Sequence, residues 1–169
     1  DLRSIINARS GNCTENCRFC AQSARHHTGI DTYTVIPEEE ALAQAADNDQ
    51  HGVGRLSLVT SGRSLAPDTL DALVGLYGKM AASTSLLFCA SAGMLNPEIA
   101  ATLKEAGVVR YHCNLEASRG YFPQVCTTHA WAEKVETLGL ARAAGMTLCS
   151  GGIIGMGEQM TDRIDMAFE

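Results

Sequence analysis

The chain has 169 residues, 46% of them hydrophobic and 19% charged, with a formal net charge of -6. That length suffices for one globular unit with a buried core, and the acidic balance excludes broad nucleic-acid binding, which needs a basic face. The apolar runs are too short and interrupted for a membrane-spanning helix or a signal peptide. Seven cysteines, an odd number, exclude a complete set of internal disulfides. They point to a reducing cytoplasm, where thiols serve metals or chemistry.

Leu2 to Ala8 is a short apolar-rich run ending in Arg-Ser-Gly, which predicts a strand feeding a loop. That loop carries Cys13-Thr-Glu-Asn-Cys17-Arg-Phe-Cys20. Three thiols at this spacing can surround one metal cluster while leaving a fourth coordination position without a protein ligand. Structural zinc usually takes four ligands, often from paired Cys-x2-Cys knuckles, and a 4Fe–4S cluster normally takes four thiolates. The spacing therefore favours an iron–sulfur cluster with one open iron. A zinc knuckle completed by His26 or His27 and chance clustering are the alternatives.

Ile36-Pro37-Glu38-Glu39-Glu40 opens a helix to about Asp49, since proline suits a first turn and acids favour its positive end. Arg55–Val59 reads as the second strand, followed by Thr60-Ser61-Gly62-Arg63 and a helix from Pro67 through Tyr77. Leu86–Ala90 is an unbroken apolar run of the kind buried on both faces. Asn96-Pro97-Glu98 begins a helix that ends at Ala106-Gly107, and Val108–Leu115 is the fourth strand. A long loop to Thr128 precedes a helix from Ala130 to Ala144. Met146–Cys149 is the fifth strand, and a glycine-rich stretch leads to a last helix at Asp162–Phe168.

This alternation predicts an α/β fold with parallel strands and right-handed crossovers, either doubly wound or a (β/α) barrel. Five strands are too few for a closed eight-stranded barrel, so residues 1–169 read as a single domain that is part of a longer protein. In such folds, chemistry gathers beyond the carboxyl ends of the strands. Those ends carry the three-cysteine loop, then Thr60-Ser61-Gly62, Cys89, His112 to Glu116, and Cys149-Ser-Gly-Gly. Cys89, Cys113 and Cys149 are candidates for a second metal centre, although buried cysteine is often inert. Cys126 reads as packing, and His26, His27, His51 and His129 as surface or loop residues. Gly151-Gly152-Ile153-Ile154-Gly155-Met156-Gly157-Glu158 allows backbone to approach an anionic or flat cofactor.

Cys13-x3-Cys17-x2-Cys20, with Phe19 before the last cysteine, resembles the signature of the radical S-adenosylmethionine (SAM) enzymes. Cys20-Ala-Gln-Ser-Ala24, Val59 to Arg63, Asn114-Leu115, Val125 to His129 and Cys149 to Glu158 look like the biotin synthase family. These blocks run in order along nearly the whole chain. The resemblance implies a TIM-type barrel of which this chain supplies about the first five βα units, cut at both ends.

It also implies a 4Fe–4S cluster on Cys13, Cys17 and Cys20, with SAM on the open iron. A 5′-deoxyadenosyl radical would then abstract hydrogen from dethiobiotin, and an auxiliary iron–sulfur cluster would supply the sulfur. By the same resemblance, Phe19 and Ile153 lie near the adenine, Asn114 and Glu116 near the ribose and substrate, and Thr60 and Ser61 near the methionine end. Dethiobiotin, a flavodoxin- or ferredoxin-type electron donor and a homodimeric full-length protein are the implied partners, with no nucleic acid or membrane.

The chain departs from the family pattern in three places. Ser57 stands where a third auxiliary cysteine belongs, Cys113 stands where histidine is usual, and Glu116 replaces aspartate. The expectation is that Cys89, Cys113 and Cys149 hold the auxiliary cluster, as 2Fe–2S or a variant such as 4Fe–5S, and that Ser57 does not. The family's arginine ligand would lie beyond Glu169. The rival readings are another radical SAM enzyme with a related barrel and a non-catalytic iron–sulfur-binding fragment.

Overall fold

The computed structural model describes residues 2–169. Its elements are β1 Arg3–Arg9, α1 Glu38–Gln50, β2 Arg55–Thr60, α2 Pro67–Ser83, β3 Leu87–Ser91, α3 Pro97–Glu105, β4 Val108–His112, α4 Phe122–Val125, α5 Trp131–Ala143, β5 Thr147–Cys149 and α6 Met160–Phe168. Local chemistry sets most boundaries. Glu38, Glu39 and Glu40 occupy the first turn of α1. The Asn96 side chain accepts the Ile99 N–H at 2.7 Å and so caps α3. α1 is followed by Gly52 at φ +73°, a conformation that glycine adopts at little cost.

The sheet is wholly parallel, with β1 to β5 neighbours in sequence order. A doubly wound sheet reverses its strand order at a switch point. Here the order never reverses, so right-handed crossovers carry every helix to the same side. That is the arrangement of a (β/α) barrel and settles between the two architectures the sequence allowed.

The core lies between this helical layer and the outer face of the sheet. Leu56, Leu58, Leu73, Tyr77, Met80, Leu103 and Tyr111 are almost wholly buried there. The two tyrosines keep their hydroxyls satisfied: Tyr77 donates to the Cys89 carbonyl at 2.8 Å, and Tyr111 to the Gly93 carbonyl at 2.7 Å. The opposite face forms the interior of the curved sheet. One row across it reads Ile5, Ser57, Cys89, Arg110 and Thr147.

β4 contains an irregularity that decides which side chains reach this interior. Phe88 pairs with Val108, but the next residue, Cys89, pairs with Arg110, leaving Val109 as an extra residue. Such a bulge shifts the alternation of faces. Arg110 and His112 therefore share the interior with Cys89, while Tyr111 belongs to the core on the helix side. Cys113, beyond the strand, packs against that core and borders a cavity at the carboxyl ends of the strands. The strand also ends at His112, not Leu115, because the chain then turns through Glu116 at φ +71°.

Candidate metal and cofactor site

Cys13, Cys17 and Cys20 lie on the loop beyond β1 and line one cavity of about 310 Å³ at the carboxyl ends of the strands. The loop is tied down at both ends: the Cys13 N–H donates to the Gln22 carbonyl at 3.0 Å, and the Ala24 N–H to the Cys13 carbonyl at 2.8 Å. Gln22 accepts the Gly11 N–H at 2.5 Å, and the Ser61 hydroxyl donates to the Gly11 carbonyl at 2.6 Å. Gly11 has φ +75°, and a Cβ there would collide with Thr32, so the turn into the cysteine loop needs glycine.

Phe19, Thr60, Ser61, Asn114 and Glu116 line the same cavity as the three thiols. The Ile153 N–H reaches it indirectly, donating to the Glu116 carbonyl at 2.8 Å. The Ser61 hydroxyl is committed to Gly11, which makes this residue a brace for the loop. Glu116 is held by a Lys134 ammonium 3.7 Å from one carboxylate oxygen, yet its other oxygen is buried without a partner. Burial pushes the Glu116 carboxyl above its ordinary range, against the pull of Lys134 and His112. An orphaned acceptor in a cavity is suited to a ligand hydroxyl. Three thiols on one wall and this acceptor on another fit a cluster carrying a nucleoside-bearing ligand.

A second, smaller cavity of about 100 Å³ lies on the interior face of the sheet, lined by Arg3, Arg55, Ser57, Cys89, Arg110, His112 and Cys149. His112 is common to both cavities. Burial pushes the Cys89 thiol up, while the charges of Arg55, Arg110 and Arg3 pull it down. The Ser57 hydroxyl is buried without a partner. Cys89 and Cys149 are thus brought together in an electropositive pocket that fits an anionic sulfur-containing group. Cys113 is not among the residues lining this pocket. It is buried against the core and lines the larger cavity with the three loop thiols, near the charges of Lys134 and Glu116, on the face of β4 opposite to Arg110 and His112.

Another group was not foreseen. His129, expected on the surface or in a loop, has a side chain only 4% exposed. Its Nδ1 contacts a Glu15 carboxylate oxygen and lies 3.2 Å from Cys126 Sγ, which is 3.7 Å from Cys17 Sγ. Glu15 also accepts from the Thr128 hydroxyl at 2.7 Å and faces Arg63 at 3.5 Å. Burial alone would raise the Glu15 carboxyl, but the hydrogen bonds from Thr128 and His129 and the charge of Arg63 hold it below its usual range. Burial, with help from Lys134 and Arg63, lowers His129. The pair is therefore a neutral imidazole donating to an ionised carboxylate near neutral pH. Cys17 is pushed far up by burial and by Cys126 beside it. Hydrogen bonds from Thr128 and the His129 backbone outweigh burial and lower Cys126. In sequence, the only trace of this group is the Cys126-x2-His129 spacing, 106 residues after Cys20.

Among the described residues no helix is long and apolar enough to cross a membrane. A family model described as Radical SAM superfamily matches residues 8–169. Among curated relatives, a biotin synthase from Desulfotalea psychrophila is 52% identical over 169 residues, covering 100% of this chain and 50% of the relative. One from Heliobacterium modesticaldum is 50% identical over the same length and is covered to 52%. The chain thus spans about half the length of the curated relatives it matches. Among solved structures, methylornithine synthase superposes with a TM-score of 0.84 at 18% identity, over 98% of this chain and 48% of that one. The FeFe-hydrogenase maturase HydG from Carboxydothermus hydrogenoformans gives 0.82 at 18% identity, over 99% and 40%. At these identities the structural likeness concerns the fold alone.

Proposed function

Because the chain belongs to the radical SAM superfamily, we propose that it is the cluster-bearing part of an enzyme that inserts sulfur into dethiobiotin to form biotin. The observation that carries this reading is the identity of 52% and 50% to biotin synthases along the whole chain. The paired thiols on the sheet interior support it, because sulfur insertion needs a sulfur source beside the radical site. The fold likeness to other radical SAM enzymes does not favour any of their substrates.

In this reading Cys13, Cys17 and Cys20 hold a 4Fe–4S cluster that binds SAM, and together these supply a hydrogen-abstracting radical. The chain itself positions and shields. Glu116 offers its unpartnered oxygen to the ribose, and Asn114 stands beside it, with Asn114 Oδ1 2.7 Å from His112 Nε2. The backbone at Phe19 and Ile153 serves the adenine, while Thr60 and Ser61 border the methionine end, Ser61 chiefly by steadying the loop.

Cys89 and Cys149 are the auxiliary-cluster ligands contributed by these residues. Cys113, the third ligand expected from sequence, does not line the smaller cavity, and in this reading the role falls to another group that reaches it. The electron donor is of flavodoxin or ferredoxin type, and the full-length protein works as a homodimer in the cytoplasm.

The test is anaerobic reconstitution of the full-length protein, followed by assay of biotin and 5′-deoxyadenosine with dethiobiotin as substrate. Absence of both products, with the clusters intact, would overturn the assignment. Cys89→Ser and Cys149→Ser are expected to lower the iron and sulfide content and remove the second cluster's spectrum. Cys113→Ser is expected to leave both unchanged. The iron-to-sulfide ratio distinguishes 2Fe–2S from 4Fe–5S.

A further inference from the structure

Cys17, Cys126 and His129 place their ligand atoms within 4.8 Å of one another, although the three come from two segments far apart in sequence. From this we infer a mononuclear site for a thiophilic divalent cation, zinc or ferrous iron, that is available when the cluster is absent. The donor geometry fits such an ion. A tetrahedral centre with metal–sulfur bonds of about 2.3 Å has a sulfur–sulfur edge of about 3.8 Å, and Cys17 Sγ and Cys126 Sγ are 3.7 Å apart. Two thiols and an imidazole are the donor types that zinc and ferrous iron select.

The surroundings are those of a built site. Glu15 contacts His129 Nδ1, the ring nitrogen 3.2 Å from Cys126 Sγ, so an ion bound there takes the place of that contact and has the carboxylate beside it as a further donor. His129 Nε2 is buried without a partner. Arg63 and Thr128 in turn fix Glu15. An entry route also exists: Cys126 and His129 line an outer groove of about 600 Å³, and His129 also borders the cofactor cavity that Cys17 lines. Binding replaces the protons of both thiols, which leave to water as the metal–sulfur bonds form.

The ion and the cluster both require Cys17, so they exclude one another. The site therefore holds Cys17 in a metal-protected form before the cluster is built, and releases it when the cluster forms. This goes beyond the proposed reaction and does not depend on its substrate.

Cobalt(II) is the probe. The full-length protein, stripped of iron and sulfide and kept reduced without oxygen, is titrated with cobalt while tetrahedral ligand-field and thiolate charge-transfer absorption is followed. Saturation at one ion per chain is expected, with zinc displacing cobalt at lower concentration than ferrous iron does. Cys126→Ser and His129→Gln should weaken binding at least about tenfold, whereas Cys13→Ser and Cys20→Ser should leave it in place. Assembly of the 4Fe–4S chromophore in Cys126→Ser serves as the folding control.

A second readout is kinetic. Zinc added before reconstitution should slow cluster assembly in the parent protein and not in Cys126→Ser. Loss of the cobalt spectrum in Cys13→Ser and Cys20→Ser, with Cys126→Ser and His129→Gln unaffected, would overturn the site. So would equal retardation of assembly by zinc in all variants. If Cys126→Ser fails to assemble the cluster, His129→Gln alone decides between the two outcomes.

Discussion

Glu158 shows how a single side chain organises the glycine-rich loop after β5. Its carboxylate accepts the Gly155 N–H at 2.9 Å and the Met156 N–H at 2.8 Å, and pairs with Arg163 at 2.7 Å. These donors, the Gly155 amide foremost, lower its pKa from 4.5 to about 2. A carboxyl depressed in the folded state stabilises the protein above its unfolded pKa, and that contribution is lost as pH falls through the folded value. The loop's support from Glu158 is therefore complete above about pH 4.5 and disappears towards pH 2. Glu158→Gln should flatten the stability profile across that window, as measured by denaturant unfolding at stepped pH. An unchanged profile would remove Glu158 from the account of loop order.

At the scale of elements, the junction of β3, β4 and α3 is joined by one phenol. The Tyr111 hydroxyl donates to the Gly93 carbonyl and accepts the Ala92 N–H at 3.2 Å, with the residue fully buried. Tyr111→Phe leaves both backbone groups without that partner and should cost about 1–3 kcal/mol, read from the shift in denaturant midpoint at constant slope. A midpoint within experimental error of the parent would show that water or rearrangement satisfies them.

This junction also marks how far the elements were legible in the sequence. The strands and helices could be found because apolar runs and caps are local signals: Pro37 with its three glutamates, Asn96 before Pro97, and Gly145 after α5 each act within a few residues. α4, Phe122–Val125, fell inside an expected loop because a helix of 4 residues has no periodicity to read. The facing of Cys113 could not be read at all. In an unbroken register Cys89 would face Val109, and alternate residues from there place Cys113 inward; the extra residue moves the partner to Arg110 and reverses it. The three-cysteine loop was legible because its ligands are adjacent in the chain. The Glu15–His129 contact, which spans 114 positions, leaves no local pattern.

Taken as a whole molecule, the chain presents apolar surface that has no cover among the described residues. Met160, Ile164 and Phe168 recur every fourth position along α6 and are 64%, 49% and 88% exposed, and Ile5 on β1 is 67% exposed. Contiguous apolar surface of this kind drives association, and unpaired strand edges add to it. Expressed as residues 1–169, the chain should self-associate, and Ile164→Lys with Phe168→Lys should shift it towards monomer in sedimentation. Monomeric behaviour of the unsubstituted chain would show that the helix folds its apolar face inward.

The two cavities meet at one side chain, His112. Read as plumbing, the barrel has an upper chamber and a lower chamber with an imidazole as the partition. In the proposed reaction, a small molecule activated above and completed below lies along that partition, touching both compartments at once. Its length and bend are then selected by the width of the gap beside a single ring. In that proposal a guest too short to bridge it would be activated without being finished, and the stance of His112 sets the span.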